Sequence, residues 1–200
     1  MGVTFFDFMQ RYIELNVIEK SIIKSKMKEK TFKKGELIHR VGDVCKNLLF
    51  IEEGYARAYV IDENGKDYTW SLIFNSEKSK VENLFLFDYY SFIKQEPSSI
   101  EIEALSDVRA VSFTKDDCEL LFELNHKLEK FARLMSEEGY SFIHKLIIDR
   151  QTKSAKRRFE EFMQTSSHLL EIVPQYHIAS YLDITPQHLS RLKRKINICE

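Results

Sequence analysis

The sequence is poor in cysteine, glycine and proline. Its 200 residues include 3 Cys, 6 Gly and 3 Pro. Cys45, Cys118 and Cys199 lie too far apart in the chain for a CxxC metal cluster or a dense disulfide framework. Few Gly and Pro, together with 44% apolar and 30% charged residues, exclude collagen-like and linker-rich chains and predict a packed globule.

The sequence also lacks long apolar runs and basic residues close to its first residue. The apolar stretches are much shorter than the roughly 18 residues of a membrane helix, and the first basic residue, Arg11, comes too late for a signal peptide. We therefore expect a cytoplasmic protein without a membrane partner. The motifs GxSxG, HExxH, GxGxxG and the P-loop are absent as well. The sequence thus predicts no enzyme, no catalytic residues and no metal site.

Charge is divided unevenly along the chain. Residues 1–144 hold 20 Lys and Arg against 25 Asp and Glu, whereas residues 145–200 hold 10 against 6. The two parts therefore carry net charges of −5 and +4. A basic part on a nearly neutral protein favours a polyanionic partner, although a solvated charged face is the alternative.

The region after Thr31 consists of short β-rich runs separated by turn signals. Asn64-Gly65 lies between the runs 55–60 and 68–74, which is typical of a hairpin with a type I′ turn. Two more runs, 100–104 and 108–113, add strands. The pattern predicts an α+β protein whose first domain, residues 1–114, is an antiparallel β-roll or jelly roll with flanking helices.

Residues 115–150 are predicted to form one long helix. An apolar stripe on it has 3-4-3-4 spacing, which favours a dimerisation seam; its members are Leu121, Leu124, Leu128, Phe131 and Met135. The alternative is that this stripe packs only on the β-roll. Gly139 predicts an end or a bend of the seam.

The third part, residues 151–200, contains a helix-turn-helix pattern. Ile178 and Leu182 lie four apart on a short helix, and Ala179 leaves room for a second helix to cross closely. Thr185 is a good N-cap for that second helix, which spans residues 186–196.

The second helix of this pattern separates apolar from basic side chains. Leu189, Leu192 and Ile196 fall on one side, and no acid lies on the other. A recognition helix in a major groove requires hydrogen-bond donors that contact base edges and cations that contact phosphates. We predict DNA contacts from Thr185, Gln187, His188, Ser190, Arg191, Lys193, Arg194 and Lys195.

With this motif in place, the whole chain resembles the Crp/Fnr family of bacterial transcription regulators, and its segment 173–186 looks most like the Bacteroidetes branch. The resemblance implies a cyclic-nucleotide-binding-like sensor, a long dimerisation helix and a C-terminal DNA-binding domain. It also implies a homodimer that binds a pseudo-palindromic operator in double-stranded DNA and contacts RNA polymerase. Arg191 matches the arginine with which the family reads guanine.

The sequence departs from the family pattern at three places in this motif. Asp183 replaces the usual turn glycine, and Pro186-Gln187 replaces the Arg-Glu of members that respond to cyclic AMP, which implies a different operator. Only residues 197–200 follow the recognition helix, so we expect most of the family's β-hairpin wing to be missing.

The expected effector region also differs from that of cyclic-nucleotide-binding members. They hold the phosphate with a Gly-Glu loop and an Arg-Ser or Arg-Thr pair, whereas here no Gly lies between Gly65 and Gly139 and no Arg between Arg57 and Arg109. Burying a phosphate without a cation is costly, so we expect no cyclic AMP or cyclic GMP and no other cofactor. An iron–sulfur centre is excluded because residues 1–44 lack cysteine. A cavity for another small molecule would be lined by Tyr68, Trp70, Phe85, Asp88, Tyr89, Ser98 and Ser99; aromatic core packing is the alternative.

The sequence therefore predicts a homodimeric, DNA-binding transcription regulator that does not respond to cyclic AMP. The alternative is a degenerate sensor that acts through protein contacts or through an unidentified small molecule.

Overall fold

A computed structural model describes residues 2–78 and 83–197 of the chain, with only the backbone described at residues 196 and 197. Its strands are β1 (Lys28–Phe32), β2 (Leu37–His39), β3 (Asn47–Glu53), β4 (Tyr55–Ile61), β5 (Asp67–Phe74), β6 (Phe85–Leu86), β7 (Glu101–Ala104) and β8 (Val108–Thr114). Its helices are α1 (Phe5–Gln10), α2 (Val17–Lys26), α3 (Tyr89–Lys94), α4 (Lys115–Leu124), α5 (His126–Thr152), α6 (Ala155–Ser166), α7 (Leu169–Ile172), α8 (Gln175–Tyr181) and α9 (Pro186–Asn197).

The strands form two antiparallel sheets that face each other as a jelly roll. One sheet has the order β1-β8-β3-β6 and the other the order β2-β7-β4-β5. Phe50 and Ile51 of the first sheet and Ile102 and Ala104 of the second are fully buried in one core. Alternation of small and large apolar residues along these strands fills the space between the sheets. The predicted α+β jelly roll is confirmed.

The predicted hairpin is the β4–β5 pair, whose ladder runs from Tyr55 opposite Phe74 to Ile61 opposite Asp67. Its turn is not of type I′, because Gly65 has a positive φ of 76° and Asn64 does not. Instead, the Asp62 carboxylate accepts hydrogen bonds from Asn64 N at 2.9 Å and Lys66 N at 2.8 Å. This side chain caps a longer loop, so that only Gly65 needs the left-handed conformation.

The long helix predicted over residues 115–150 is in fact two helices. Asn125 stands between α4 and α5 with extended backbone angles (φ −153°, ψ 107°), and its side chain accepts a hydrogen bond from Lys127 N at 2.9 Å. An N-cap of this kind stabilises a new helix start, so α5 begins at His126. From there α5 continues through Gly139 to Thr152; the end or bend of the dimerisation seam at Gly139 stays a prediction.

The break at Asn125 changes where the apolar stripe of this region lies. Leu121, Leu128 and Phe131 are buried in the jelly-roll core, Met135 packs against that core, and Leu124 is 62% exposed. The alternative interpretation, packing on the β-roll, therefore describes most of the stripe.

One carboxylate joins the N-terminal helices to α5. Glu19 and Asn16 form a capping box at the start of α2. Glu19 also accepts hydrogen bonds from Asn125 Nδ2 at 3.0 Å and from Lys127 Nζ at 3.1 Å. Hydrogen bonds to its charged form lower the pKa of Glu19, first of all the bond from the Asn16 backbone.

A second core holds helices α6 to α9 together and includes part of the jelly roll. Phe159, Leu169 and Leu189 are essentially fully buried in it. Leu72 and Phe74 of β5, with Leu105, belong to the same cluster. The C-terminal helices therefore pack directly on the second sheet.

Candidate nucleic-acid interface

The helix-turn-helix consists of α8, a short turn and α9. Ile178 and Ala179 of α8 are fully buried, and the small Ala179 side chain allows α9 to cross closely. Asp183 adopts the left-handed conformation (φ 54°) in the turn where the family has glycine. Ile184 N then donates to Ala179 O at 2.9 Å, which closes the turn.

Helix α9 begins as its sequence predicts. Thr185 Oγ1 accepts a hydrogen bond from His188 N at 3.2 Å, and Pro186 is the first helical residue. Leu189 and Leu192 are buried in the second core, 0% and 7% exposed. The side chain of Ile196 and all of residues 198–200 lie outside the described part of the chain, so the expected loss of the wing stays a prediction.

The polar side chains predicted to contact DNA lie on the outer surface of α9. Thr185, Gln187, His188, Arg191, Arg194 and Lys195 are exposed, and Ser190 and Lys193 are half-buried. One shallow groove is lined by Pro186, Gln187, Ser190, Arg191 and Arg194. The surface therefore combines an amide, a hydroxyl and two guanidinium groups, the donor types that read base edges and phosphates.

Arg158 of α6 supports this motif in a way that sequence analysis missed. Its guanidinium donates to Leu182 O at 3.1 Å and Asp183 O at 3.3 Å in the turn. It also donates to Lys153 O at 2.7 Å, just after α5. One side chain thus connects the end of α5 to the turn of the helix-turn-helix. The basic run 156–158 was the only sequence signal at this position.

The other face of α8 contacts the jelly roll, which the sequence did not predict either. Thr69 N of β5 donates to Ser180 Oγ at 2.8 Å, and Ser180 Oγ lies 3.5 Å from Asp67 O. One turn earlier, His177 is 2% exposed. Burial, and secondarily the charge of Arg57, lower the pKa of His177 to about 4.

The aromatic residues predicted to line an effector cavity lie in different surroundings. Tyr68 and Trp70 of β5 lie under the guanidinium of Arg150, 5.2 and 5.3 Å from the ring centroids. Phe85 belongs to an aromatic cluster with Phe8 and Phe50. Tyr89 is 52% exposed, and Ser99 is exposed. Phe85 therefore follows the core-packing alternative, Tyr68 and Trp70 pack against Arg150, and Tyr89 lies on the surface.

Asp88 and Ser98 form a buried pair where cyclic-nucleotide-binding members hold the phosphate. Ser98 Oγ donates to Asp88 Oδ2 at 2.7 Å, and both residues are at most 8% exposed. Asp88 also caps α3 by accepting from Tyr90 N at 3.1 Å. The buried cation Arg57 lies on β4, where Asp67 of β5 and Glu103 of β7 hold it. A phosphate here would face a buried carboxylate, so these residues do not fit a cyclic nucleotide.

A cavity lies elsewhere, between the β2–β3 loop and β6. It measures about 490 Å³, and its lining includes His39, Arg40, Asp43, Lys46 and Phe87. None of the predicted effector residues lines it. Over residues 2–78 and 83–197, no helix is both long and apolar enough to cross a membrane, and no cluster of three metal-ligating side chains occurs.

Comparison with known proteins identifies the first domain. Residues 29–125 match the model of the cyclic nucleotide-binding domain. No protein of curated function matches the chain. The jelly roll is therefore similar to a cyclic nucleotide-binding domain, whereas α1 and α2 lie outside the matched residues.

Solved structures extend the similarity to nearly the whole chain. FixK2 from Bradyrhizobium japonicum has a TM-score of 0.71 at 13% identity, over 86% of this chain and 85% of that one. A putative Crp/Fnr regulator from Eubacterium rectale has a TM-score of 0.65 at 19% identity, over 94% and 88%. A CooA mutant from Carboxydothermus hydrogenoformans has a TM-score of 0.67 at 13% identity, over 96% and 88%. The chain has the fold of Crp/Fnr family transcription regulators; membership of the Bacteroidetes branch stays a prediction.

Proposed function

We propose that this protein is a DNA-binding transcription regulator of the Crp/Fnr type that reads a pseudo-palindromic operator through α9. The observation that carries the proposal is the outer surface of α9, where Gln187, Ser190, Arg191 and Arg194 line one groove. Its buried side is held by Leu189 and Leu192, so the exposed side chains are presented from a rigid element. By family resemblance, the DNA-bound protein would also contact RNA polymerase.

The proposed regulator acts as a homodimer through the C-terminal half of α5. Tyr140 and Ile147, 73% and 49% exposed, lie seven residues apart and therefore share one helix stripe. Phe142 and Ile148 are also exposed large apolar residues on this half of the helix. A second copy of α5 would cover this surface, and two recognition helices would then address two half-sites.

The proposed regulator does not use cyclic AMP. The support is the Asp88–Ser98 pair, because a buried carboxylate repels a phosphate and no arginine lies in the described residues of the surrounding segment 85–100. A second candidate, regulation by a different small molecule, is favoured by the cavity at the β2–β3 loop.

Selection from a random duplex library, with binding followed across a salt series, tests the proposed function. We expect the purified protein to enrich an inverted repeat with half-sites about one helical turn apart. Arg191→Ala should weaken specific binding by roughly 1–3 kcal/mol and relax the preference at one base position. Arg11→Ala, at an exposed arginine that ends α1, is the matched control and should bind normally. Binding without sequence preference, or normal binding by Arg191→Ala, would refute the assignment.

A further inference from the structure

The cavity between the β2–β3 loop and β6 is separate from the place where cyclic-nucleotide-binding members hold the phosphate. Its volume is about 490 Å³, within the range of pockets that hold small ligands. Phe87 belongs to its lining, whereas the buried pair Asp88 and Ser98 does not. Any ligand of this cavity is therefore selected by other residues.

Hydrogen bonds from the backbone hold the β2–β3 loop in place at the rim of the cavity. Gly42 N donates to Ser98 O at 2.8 Å, and Ser98 N donates to Asp43 O at 2.9 Å. Further along the loop, Cys45 N donates to the Ser91 hydroxyl of α3 at 2.9 Å. The rim is therefore formed before a ligand arrives, as is usual for sites that bind small molecules.

One part of the lining is apolar. Leu49 of β3 and Leu86 of β6 are opposite each other in the ladder of the first sheet, and both line the cavity. Phe87 adds an aromatic ring, which makes edge contacts with the rings of Phe85 and Phe92 at 6.3 and 5.5 Å. A hydrocarbon group that enters the cavity leaves water and gains contacts with these side chains, which favours binding.

The rim of the cavity carries charges of both signs. Arg40, Asp43 and Lys46 belong to the lining and are exposed. Over residues 2–78 and 83–197, none of these three side chains has an ion-pair or hydrogen-bond partner. His39 also lines the cavity, and burial lowers its pKa, although the carboxylates of Asp88 and Asp43 oppose the shift. The ring of His39 is therefore mainly neutral at pH 7 and adds no third cation.

This set of charges selects a ligand that carries both signs itself. A ligand with only a carboxylate would be repelled by Asp43, and a ligand with only an ammonium group would be repelled by Arg40 and Lys46. A zwitterion can form charge-assisted hydrogen bonds with all three side chains. Together with the apolar part of the lining, the rim therefore fits a zwitterion that has a hydrocarbon side chain.

We propose that this cavity binds a free α-amino acid with a large apolar side chain. Its carboxylate pairs with Arg40 and Lys46, its ammonium group pairs with Asp43, and its side chain packs on the apolar part of the lining. A methyl group would leave most of a space of about 490 Å³ unfilled, so large side chains are favoured. The binding of such a ligand does not depend on the proposed function; only its use as the effector of a DNA-binding regulator rests on it.

Titration calorimetry of the whole chain with L-phenylalanine and L-leucine tests the ligand class. Three comparison ligands each lack one feature: L-alanine the large side chain, N-acetyl-L-phenylalanine the ammonium group, and phenethylamine the carboxylate. We expect each of them to bind at least about ten-fold more weakly than L-phenylalanine. Equal affinity for L-phenylalanine and the comparison ligands would overturn the assignment, and so would the absence of binding by both L-phenylalanine and L-leucine at millimolar concentration.

Reversal of single charges at the rim should change which ligand the protein prefers. Asp43→Lys removes the partner of the ammonium group, so this variant should bind N-acetyl-L-phenylalanine more tightly than L-phenylalanine. Arg40→Glu should shift the preference towards phenethylamine by at least about ten-fold. Lys30→Glu, at an exposed lysine of β1 outside the lining, is the matched control and should keep the wild-type preference.

The preference is compared between ligands on one folded variant, as shown by circular dichroism, so a general loss of stability does not produce this change. Wild-type preferences in both Asp43→Lys and Arg40→Glu would overturn the site. Neither measurement uses DNA. A protein that binds L-phenylalanine but selects no inverted repeat would refute the proposed function and leave the amino-acid site intact, whereas selection of an operator without amino-acid binding would refute the site alone.

Discussion

Acid should weaken the docking of the helix-turn-helix through His177. This residue is 2% exposed, and burial lowers its pKa from 6.5 to about 4. Arg57 on the sheet lowers the pKa further, whereas Asp67 opposes the shift. Because the docked ring is neutral, its contribution to stability is complete above pH 6.5 and falls as the pH drops from 6.5 towards 4. A difference of about 2.5 pKa units corresponds to about 3 kcal/mol between these limits.

The prediction is checked by urea unfolding between pH 7.5 and pH 4.5. His177→Leu removes the titrating ring and its unpaired Nδ1, so this variant should lose less stability than the wild type on acidification. The difference should approach about 1.4 kcal/mol per pH unit below pH 6. Burial also lowers the pKa values of His39 and His168, and these groups act equally in both proteins.

His126→Gln serves as the control, because the side chain of His126 is 96% exposed. Its pH dependence should follow that of the wild type. Equal losses of stability in His177→Leu and the wild type would refute the reasoning, since His177 would then be as accessible to protons in the folded protein as in the unfolded chain.

Two further predictions concern α5 and the segment that follows it. Arg158→Ala removes hydrogen bonds to Leu182 O, Asp183 O and Lys153 O and should cost about 2–3 kcal/mol in chemical unfolding. Arg157→Ala, at an exposed neighbour, should stay within about 0.5 kcal/mol; equal losses would contradict the role of Arg158. Tyr140→Asp combined with Ile147→Asp should yield a monomer in light scattering, and an unchanged mass would place the dimer interface elsewhere on the protein.

The helix-turn-helix and the β4–β5 hairpin could be predicted from the sequence, because each is determined by residues that lie close together in the chain. The cap at Thr185 and the aliphatic spacing of α9 involve residues within one or two turns of each other. The left-handed backbone conformation of Asp183 could also be predicted, because Asp tolerates that conformation better than most side chains.

Other features depend on contacts between distant residues and were missed. The break at Asn125 was missed for a different reason: its cap is local, with a bond to Lys127 N only two residues on, but it lies in a segment without proline whose apolar spacing predicts one continuous helix. The Thr69–Ser180 bond joins residues far apart in the chain, so no periodicity reports it. The carbonyls bound by Arg158 converge only after α5, α6 and the turn have packed together. The aromatic residues of the predicted effector cavity separate as well, because Tyr68 and Trp70 lie on β5 of one sheet and Phe85 lies on β6 of the other.

The side chain of Glu19 connects α2 to the start of α5. The same carboxylate completes the capping box of α2 and binds Asn125 and Lys127 at the first turn of α5. A displacement of α2 therefore acts on the base of a lever about 40 Å long, since α5 has 27 residues and rises 1.5 Å per residue. A tilt of a few degrees at Glu19 becomes a shift of about two to three ångströms at the far end of that lever, where the chain enters α6.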